Sequence, residues 1–111
     1  MRKTESEENH NEHTRIISLK PRILGLEDIA LSTSEVNLFF DGKIVSQPDN
    51  LMFDHRSKTI YNIEYKLHDG QHQRHHAHNQ LSKANVLLKR IFEDYGIVNL
   101  YVHNDYKYKR Y

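Results

Sequence analysis

Asp49, Glu64 and Lys66 are residues whose types suit metal-assisted hydrolysis of a phosphodiester bond. Two carboxylates can hold a hard divalent cation such as Mg²⁺ or Mn²⁺, because these ions prefer oxygen ligands. The cation would activate a water molecule and neutralise charge that builds up on the phosphate. A lysine ammonium would orient the nucleophile or stabilise the transition state. The three residues therefore predict a metal-dependent phosphodiester hydrolase.

The spacing of Glu64 and Lys66 places them on one face of a predicted strand. Residues 59–67 alternate apolar and polar side chains, and this alternation is typical of a strand. Residues two apart project from the same face, with backbones about 7 Å apart. One metal ion and one water fit that gap. The alternative interpretation is an ordinary solvated strand face, with Asp49 as a turn residue after Pro48.

The other elements follow from apolar periodicity and from turn residues. Residues 1–14 are almost wholly polar and predict a disordered tail, which leaves 15–111 as a single domain. The remaining predicted elements are a helix over 22–33, a strand over 36–40, a hairpin turn at Asp41-Gly42, a strand from 43 that is irregular at Pro48 and resumes over 50–53, a helix over 73–95 and a strand over 97–102. Together with the strand over 59–67, the order helix, strand, strand, strand, helix, strand predicts an α/β domain.

The motif residues resemble the signature of the PD-(D/E)XK nuclease superfamily. Pro48-Asp49 is followed, after fourteen residues, by Glu64-Tyr65-Lys66. The predicted order over residues 22–102 is similar to that superfamily's restriction-endonuclease-like α-β-β-β-α-β core, a mixed central sheet flanked by helices. The resemblance implies hydrolysis of DNA with Mg²⁺ or Mn²⁺. It also implies that Asp49, Glu64 and the Tyr65 carbonyl are metal ligands and that Lys66 acts on the nucleophile.

Two further catalytic candidates come from the same resemblance. His78-Asn79-Gln80-Leu81 is similar to the glutamine motif of exonuclease-like members, and Gln80 borders the apolar stripe of the predicted second helix. Gln80 is therefore expected to support water or substrate. Members also use an acid from the first helix. Glu27 is the preferred candidate because it falls within the predicted helix, and Glu35 is the alternative.

The second part of the chain is basic and predicts DNA as the partner. Residues 43–111 hold eleven Lys and Arg against seven acids, whereas residues 1–42 hold five against eight. DNA contacts are predicted for Arg74, His75, His76, Lys83, Lys107, Lys109 and Arg110. In the C-terminal segment, tyrosines alternate with these cations and could stack on unpaired bases, or the segment is only an exposed edge. The five histidines over 68–78 could instead hold a transition metal or have no role.

Composition excludes several other classes. No apolar run is long enough to cross a bilayer and the N-terminus lacks an apolar signal segment, which predicts an intracellular, cytoplasmic protein without a membrane partner. The absence of cysteine excludes disulfides and thiolate metal sites. By analogy with archaeal Holliday junction resolvases, a homodimer is expected. The rival interpretation is a non-catalytic nucleic-acid-binding or protein-interaction module.

Overall fold

One mixed sheet carries most of the structure. The computed structural model describes residues 5–103 and 105–111, with side chains from residue 7 onward. The elements are α1 (Glu5–Leu19), a 3₁₀ turn (Pro21–Leu24), β1 (Leu31–Ser34), β2 (Leu38–Phe40), β3 (Lys43–Ser46), β4 (Asn50–Asp54), β5 (Thr59–Lys66), α2 (Gln71–Ile91), β6 (Gly96–His103) and β7 (Lys107–Arg110). Five strands pair in the order β1-β4-β5-β6-β7, and β2 and β3 form a separate hairpin. Only the β5–β6 pair of the five-stranded sheet is parallel, because α2 connects these two strands.

The alternation of β5 determines which helix covers each face of the sheet. Ile63 and Tyr65 pack with Ile17 of α1. Ile60 packs in a second cluster with apolar residues of α2, and the Asn62 amide donates to the Leu81 carbonyl of α2. The predicted alternation over 59–67 is therefore confirmed, and the two helices lie on opposite faces. Every second residue of β5, counted from Ile60, therefore faces α2.

The second helix follows its predicted stripe but ends earlier than predicted. Ala77, Leu81, Ala84 and Leu88 are buried, at alternating spacings of four and three. The helix begins at Gln71 and ends at Ile91 instead of spanning 73–95. Beyond it, the rings of Phe92 and Tyr95 pack edge-on against Phe53 of β4, which requires the chain to leave the helical path.

The disordered tail predicted for residues 1–14 is wrong for residues 5–14, which belong to α1. Residues 1–4 lie outside the described residues. The first half of this helix is held mainly by polar side chains: the His10 and His13 rings lie against the Tyr65 ring. Thr14 and Ile17 are buried. Because no apolar stripe begins before residue 14, composition alone predicts a tail.

The elements between α1 and β5 also differ from the prediction. The helix predicted over 22–33 is only the 3₁₀ turn, which Gly25 ends at φ 72°, followed by β1. The predicted irregular strand from 43 to 53 is two strands: β3 pairs with β2, and β4 joins the sheet. The Asp41-Gly42 hairpin is confirmed, with both residues at positive φ. The sheet and its helices thus follow the order α1-β1-β4-β5-α2-β6, with the hairpin inserted and β7 added.

These elements form a compact α/β domain with a radius of gyration of 13.5 Å. Within residues 5–103 and 105–111, neither helix has the length and apolarity needed to cross a bilayer.

Candidate functional site

Glu64 and Lys66 lie at the C-terminal end of β5, on the face that α2 covers. The Glu64 side chain is only 4% exposed and that of Lys66 is 17% exposed. The Lys66 Nζ lies 3.8 Å from the Glu64 Oε1. The predicted placement of both side chains on one face is thus observed, but the face is covered by a helix and is not an ordinary solvated face.

Asp49 lies beside Glu64 because of the register between β4 and β5. Asn50 is opposite Ile63, so the antiparallel register places Asp49 next to Glu64 and on the same face. The Asp49 Oδ2 accepts a hydrogen bond of 2.7 Å from the Tyr65 backbone N–H. The Asp49 side chain is 13% exposed. Two carboxylates therefore share a mostly buried space at this end of the sheet.

The ionised form of Glu64 is disfavoured in this space. Burial, followed by the negative charge of Asp49, raises the pKa of Glu64 to about 9, although Lys66 opposes both effects. At neutral pH the Glu64 carboxyl therefore retains a proton. A cation that entered the space would favour the ionised form.

Two side chains of α2 hold the Lys66 ammonium. Its Nζ donates to the Gln80 Oε1 at 3.0 Å and lies 3.1 Å from the His76 Nδ1. The positive charge of Lys66 lowers the pKa of His76, so the imidazole is neutral at pH 7 and its Nδ1 accepts the bond. The structure thus places Gln80 at the site, as predicted. It also places His76, which was predicted to contact DNA, against Lys66.

His10 is the site residue that the sequence prediction missed. Its Nε2 lies 3.1 Å from the Tyr65 carbonyl oxygen and 3.3 Å from the Asp49 Oδ2. Since both oxygens only accept, the Nε2 carries the hydrogen. The hydrogen bond to Asp49 raises the pKa of His10, although burial opposes it. The available signal was the spacing of His10, Thr14 and Ile17, which repeats every four and three residues as an inward helix face does.

The two candidate acids from the start of the chain occupy different places. Glu35 lines a cleft of about 520 Å³ together with Asp49 and Gln80, and its backbone N–H donates to the Asp49 carbonyl. Glu27 lines another cavity, of about 420 Å³, around the 3₁₀ turn. Glu27 is not in a helix, so the reason for preferring it no longer holds. The structure therefore groups Glu35, the alternative, with the site.

The residues predicted to contact DNA lie on α2 and on β7. Lys83 lines a small cleft with Gln80. Lys107 pairs with His103, which in turn pairs with Lys66, so Lys107 lies two strands from the site, about 10 Å by strand spacing. Lys109 and Arg110 continue the exposed strand β7. Arg74 is bound to Asp69 at 3.1 Å, and together with His75 it lines a surface cavity of about 890 Å³.

The groups at the site that could bind a metal ion are mostly oxygens, and they do not surround a metal position completely. In the part of the chain that the structure describes, no group of three or more His, Cys, Asp or Glu side chains is arranged to hold a metal ion. The five histidines over 68–78 thus form no transition-metal site either. A cation beside Asp49 and Glu64 would rely on carboxylates, a carbonyl and water, which is how proteins commonly hold Mg²⁺.

Comparisons with protein-family models, with curated proteins and with solved structures gave no significant match. The site itself combines the buried Glu64 carboxyl and the mostly buried Asp49 carboxylate with a lysine held by α2 and an imidazole from α1.

Proposed function

We propose that this chain is a Mg²⁺- or Mn²⁺-dependent nuclease that hydrolyses DNA phosphodiester bonds inside the cell. The observation that carries the proposal is the buried pair of carboxylates, Asp49 and Glu64, beside the Lys66 ammonium. Ionising both carboxylates there is unfavourable because of burial and mutual repulsion, as the raised pKa of Glu64 indicates. A divalent cation relieves both costs, so this pair favours a metal site over ordinary strand polarity.

The ligands proposed for the cation are Asp49, Glu64 and the Tyr65 carbonyl. All three are oxygen donors, which suits Mg²⁺ or Mn²⁺. The Tyr65 peptide contacts Asp49 through its N–H, so both donors are held at one point of β5. When bound, the cation would supply Lewis-acid charge neutralisation at the phosphate.

Lys66 is proposed to act on the nucleophile or on a phosphate oxygen. An ammonium group has three N–H donors, and Gln80 and His76 accept two of them. We propose that the third donates to a water molecule or a phosphate oxygen bound beside the Glu64 Oε1, which lies 3.8 Å from the Nζ. Gln80 and His76 thereby position the charge before substrate arrives, which lowers the cost of reorganising it during reaction.

α1 is proposed to contribute to the same site. The His10 Nε2–H contacts both Asp49 and the Tyr65 carbonyl, two of the proposed ligands. In its protonated form His10 offsets the Asp49 charge, and after losing that proton it can become a further ligand. Glu35, which lines a cleft together with Asp49 and Gln80, replaces Glu27 as the proposed upstream acid.

The order of elements supports the resemblance to PD-(D/E)XK nucleases. The sheet and its two helices follow an α-β-β-β-α-β order, and the motif residues come from β5 and from the residue before β4. A shared order of elements is an analogy of fold, so the proposed activity rests on the residues of the site. By the same analogy we propose a homodimer, which sedimentation velocity tests directly.

A cleavage assay tests the proposed activity. Supercoiled plasmid and single-stranded DNA are incubated with Mg²⁺ or Mn²⁺ and with the wild type, Asp49→Ala, Lys66→Ala or the control Lys89→Ala, which changes an exposed lysine of α2. We expect the first two variants to lose roughly 10²–10³-fold in rate, as for removal of a charge-stabilising group, and the control to match the wild type. Equal cleavage by all four proteins would contradict the assigned site.

The second candidate is a non-catalytic DNA-binding module. The observation that favours it is the open donor set, because three or more metal-binding side chains do not converge among the described residues. Retained DNA binding without cleavage under either metal would favour this candidate over the nuclease.

A further inference from the structure

The β2–β3 hairpin exposes apolar side chains next to the candidate site. Of the ten large apolar residues that the described ranges expose, five lie on this hairpin and on the adjoining face of α2: Phe39, Phe40, Ile44, Val45 and Val86. Phe39 is 57% exposed and Phe40 is 55% exposed. Phe40 projects to the side of the buried Leu38 and lines a groove with Val45 and Val86, whereas Phe39, the intervening residue of β2, projects to the other side. Exposed apolar surface of this kind usually marks a binding surface. We refer to these five residues as the hairpin patch.

The hairpin patch continues into the site. Ile44 and Val45 line a cleft of about 210 Å³ together with Gln80 and Lys83. Gln80 also lines the cleft that contains Asp49, and its side chain accepts the hydrogen bond from Lys66. A ligand that covers the hairpin patch can therefore extend into the space beside Lys66.

The charges around the hairpin patch favour a polyanion. Lys83 and Arg90 line a groove of about 430 Å³ with Phe40 and Val86, and Lys43 follows the hairpin turn. Asp41 is the only acid of the hairpin, against these three cations. A second copy docked symmetrically on this patch would bring the same cations together, which disfavours it as the occupant. Exposed phenyl rings flanked by cations match the surfaces that bind single-stranded nucleic acid.

We propose that the hairpin patch stacks unpaired bases of a DNA strand that enters the candidate site, with Phe40 as the main stacking ring, because Phe40 pairs with Lys43 and shares its groove with Lys83. Lys43 and Lys83 would contact the flanking phosphates. The substrate class is then DNA with an unpaired end or strand, in preference to blunt duplex. The substrate role rests on the proposed nuclease function, but the stacking can be measured without cleavage.

The test measures binding in EDTA, so that no cleavage occurs. The probes are a duplex with a single-stranded overhang that carries 2-aminopurine and a blunt duplex of the same sequence. The proteins are the wild type, Phe40→Leu, Phe40→Trp and the control Ile91→Ala, which changes an exposed apolar residue at the C-terminal end of α2. Phe40→Leu keeps an apolar side chain but removes the ring, whereas Phe40→Trp keeps a ring that can stack.

We expect Phe40→Leu to weaken overhang binding by roughly 5- to 100-fold and to abolish the fluorescence quenching of 2-aminopurine. Phe40→Trp and Ile91→Ala should bind as the wild type does, and blunt duplex should bind all four proteins alike. Phe39→Leu, on the other side of the hairpin, should also bind as the wild type does, and circular dichroism checks that each variant is folded.

Three results would overturn the inference. These are unchanged overhang binding by Phe40→Leu, an equal loss for overhang and blunt duplex, and a shift from dimer to monomer in Phe40→Leu with unchanged DNA affinity. The last result would assign the hairpin patch to a protein interface. If overhang binding depends on Phe40 but no metal supports cleavage, the proposed nuclease function fails while the stacking surface stands.

Discussion

Glu64 and Asp69 are two acids near the same end of the sheet, and their charges are compensated in opposite ways. Asp69 accepts hydrogen bonds from the Tyr101 hydroxyl at 3.0 Å and from Arg74 at 3.1 Å. Burial pushes the pKa of Asp69 upward, but these donors and the nearby His103 lower it overall. Glu64 instead is buried beside a second carboxylate, and burial together with that charge raises its pKa to about 9. Asp69 therefore has hydrogen-bond donors of its own, whereas the ionised form of Glu64 would be stabilised by an added cation.

This comparison predicts its largest effect in DNA cleavage. Glu64→Gln should lower the cleavage rate by roughly 10²–10³-fold, because it removes a proposed metal ligand and the charge that balances the cation. Asp69→Asn should change the rate only a few-fold, since Asp69 contacts Arg74 and Tyr101 and not the carboxylate pair. Rates are measured on labelled DNA with Mg²⁺. An equal loss of cleavage rate in both variants would contradict the different roles assigned to Glu64 and Asp69.

The next effect concerns metal affinity and separates His10 from His13. His10→Ala should weaken Mn²⁺ binding by roughly 10- to 100-fold, because the imidazole contacts Asp49 and the Tyr65 carbonyl. His13→Ala is the matched control: it lies on the same helix and stacks on the Tyr65 ring, but its hydrogen bond goes to Tyr106. Isothermal titration measures both. The same loss in His13→Ala would indicate that α1 acts only through packing.

The pH dependence of stability provides a third comparison. The folded-state pKa of Glu64, about 9, lies above its ordinary value of 4.5, and that of His10 lies above 6.5. The native state therefore holds protons that the unfolded chain releases. The stabilisation that these protons give the native state is complete below the pKa values of the unfolded chain. It is lost as the pH rises through the pKa values of the folded protein.

Urea unfolding without metal should thus show a free energy of unfolding that decreases from pH 5 to pH 9, by at most about 1.4 kcal/mol per pH unit for each group. Glu64→Gln should flatten most of this slope. Asp69, whose pKa is lowered, loses its contribution only as the pH falls through that lowered value. A free energy of unfolding that rises between pH 6 and pH 9 in the wild type would contradict the assignment.

The smallest effect is expected at Asp69's own partner. Tyr101→Phe removes one donor to Asp69 and should lower the free energy of unfolding by about 1 kcal/mol, the usual net value of one hydrogen bond. Cleavage should be unaffected. The check is urea unfolding at pH 7 alongside the rate assay. A large loss of activity with unchanged stability would place Tyr101 in the site.

The elements with regular periodicity could be predicted from the sequence. The alternation of β5 and the spacing of Ala77, Leu81, Ala84 and Leu88 in α2 follow from burying one face of each element. The turn at Asp41-Gly42 requires positive φ at both residues, which these types tolerate. The resemblance to the nuclease signature implies that Asp49, Glu64, Lys66 and Gln80 lie close together, and the structure brings them together.

The parts that could not be predicted depend on contacts between polar side chains distant in sequence. The first half of α1 lacks an apolar stripe, because His10 and His13 reach the sheet through hydrogen bonds and ring contacts. β1, with the sequence Leu-Ser-Thr-Ser, pairs with β4 as an edge strand and carries no alternating apolar signal. Because the start of α1 shows no apolar stripe, the sequence predicts the first helix at 22–33 instead. The preference for Glu27 depends on that predicted helix.

Metal binding coupled to proton release tests the central claim most directly. Mn²⁺ is titrated into the wild type, Glu64→Gln and Asp69→Asn at pH 7 in two buffers that differ in ionisation enthalpy, so that released protons can be counted. We expect binding with release of protons in the wild type, because the cation must displace the proton held by Glu64. Asp69→Asn should bind Mn²⁺ and release protons as the wild type does, and Glu64→Gln should bind Mn²⁺ weakly. Absence of binding in the wild type, or equal binding and proton release in Glu64→Gln, would contradict the account.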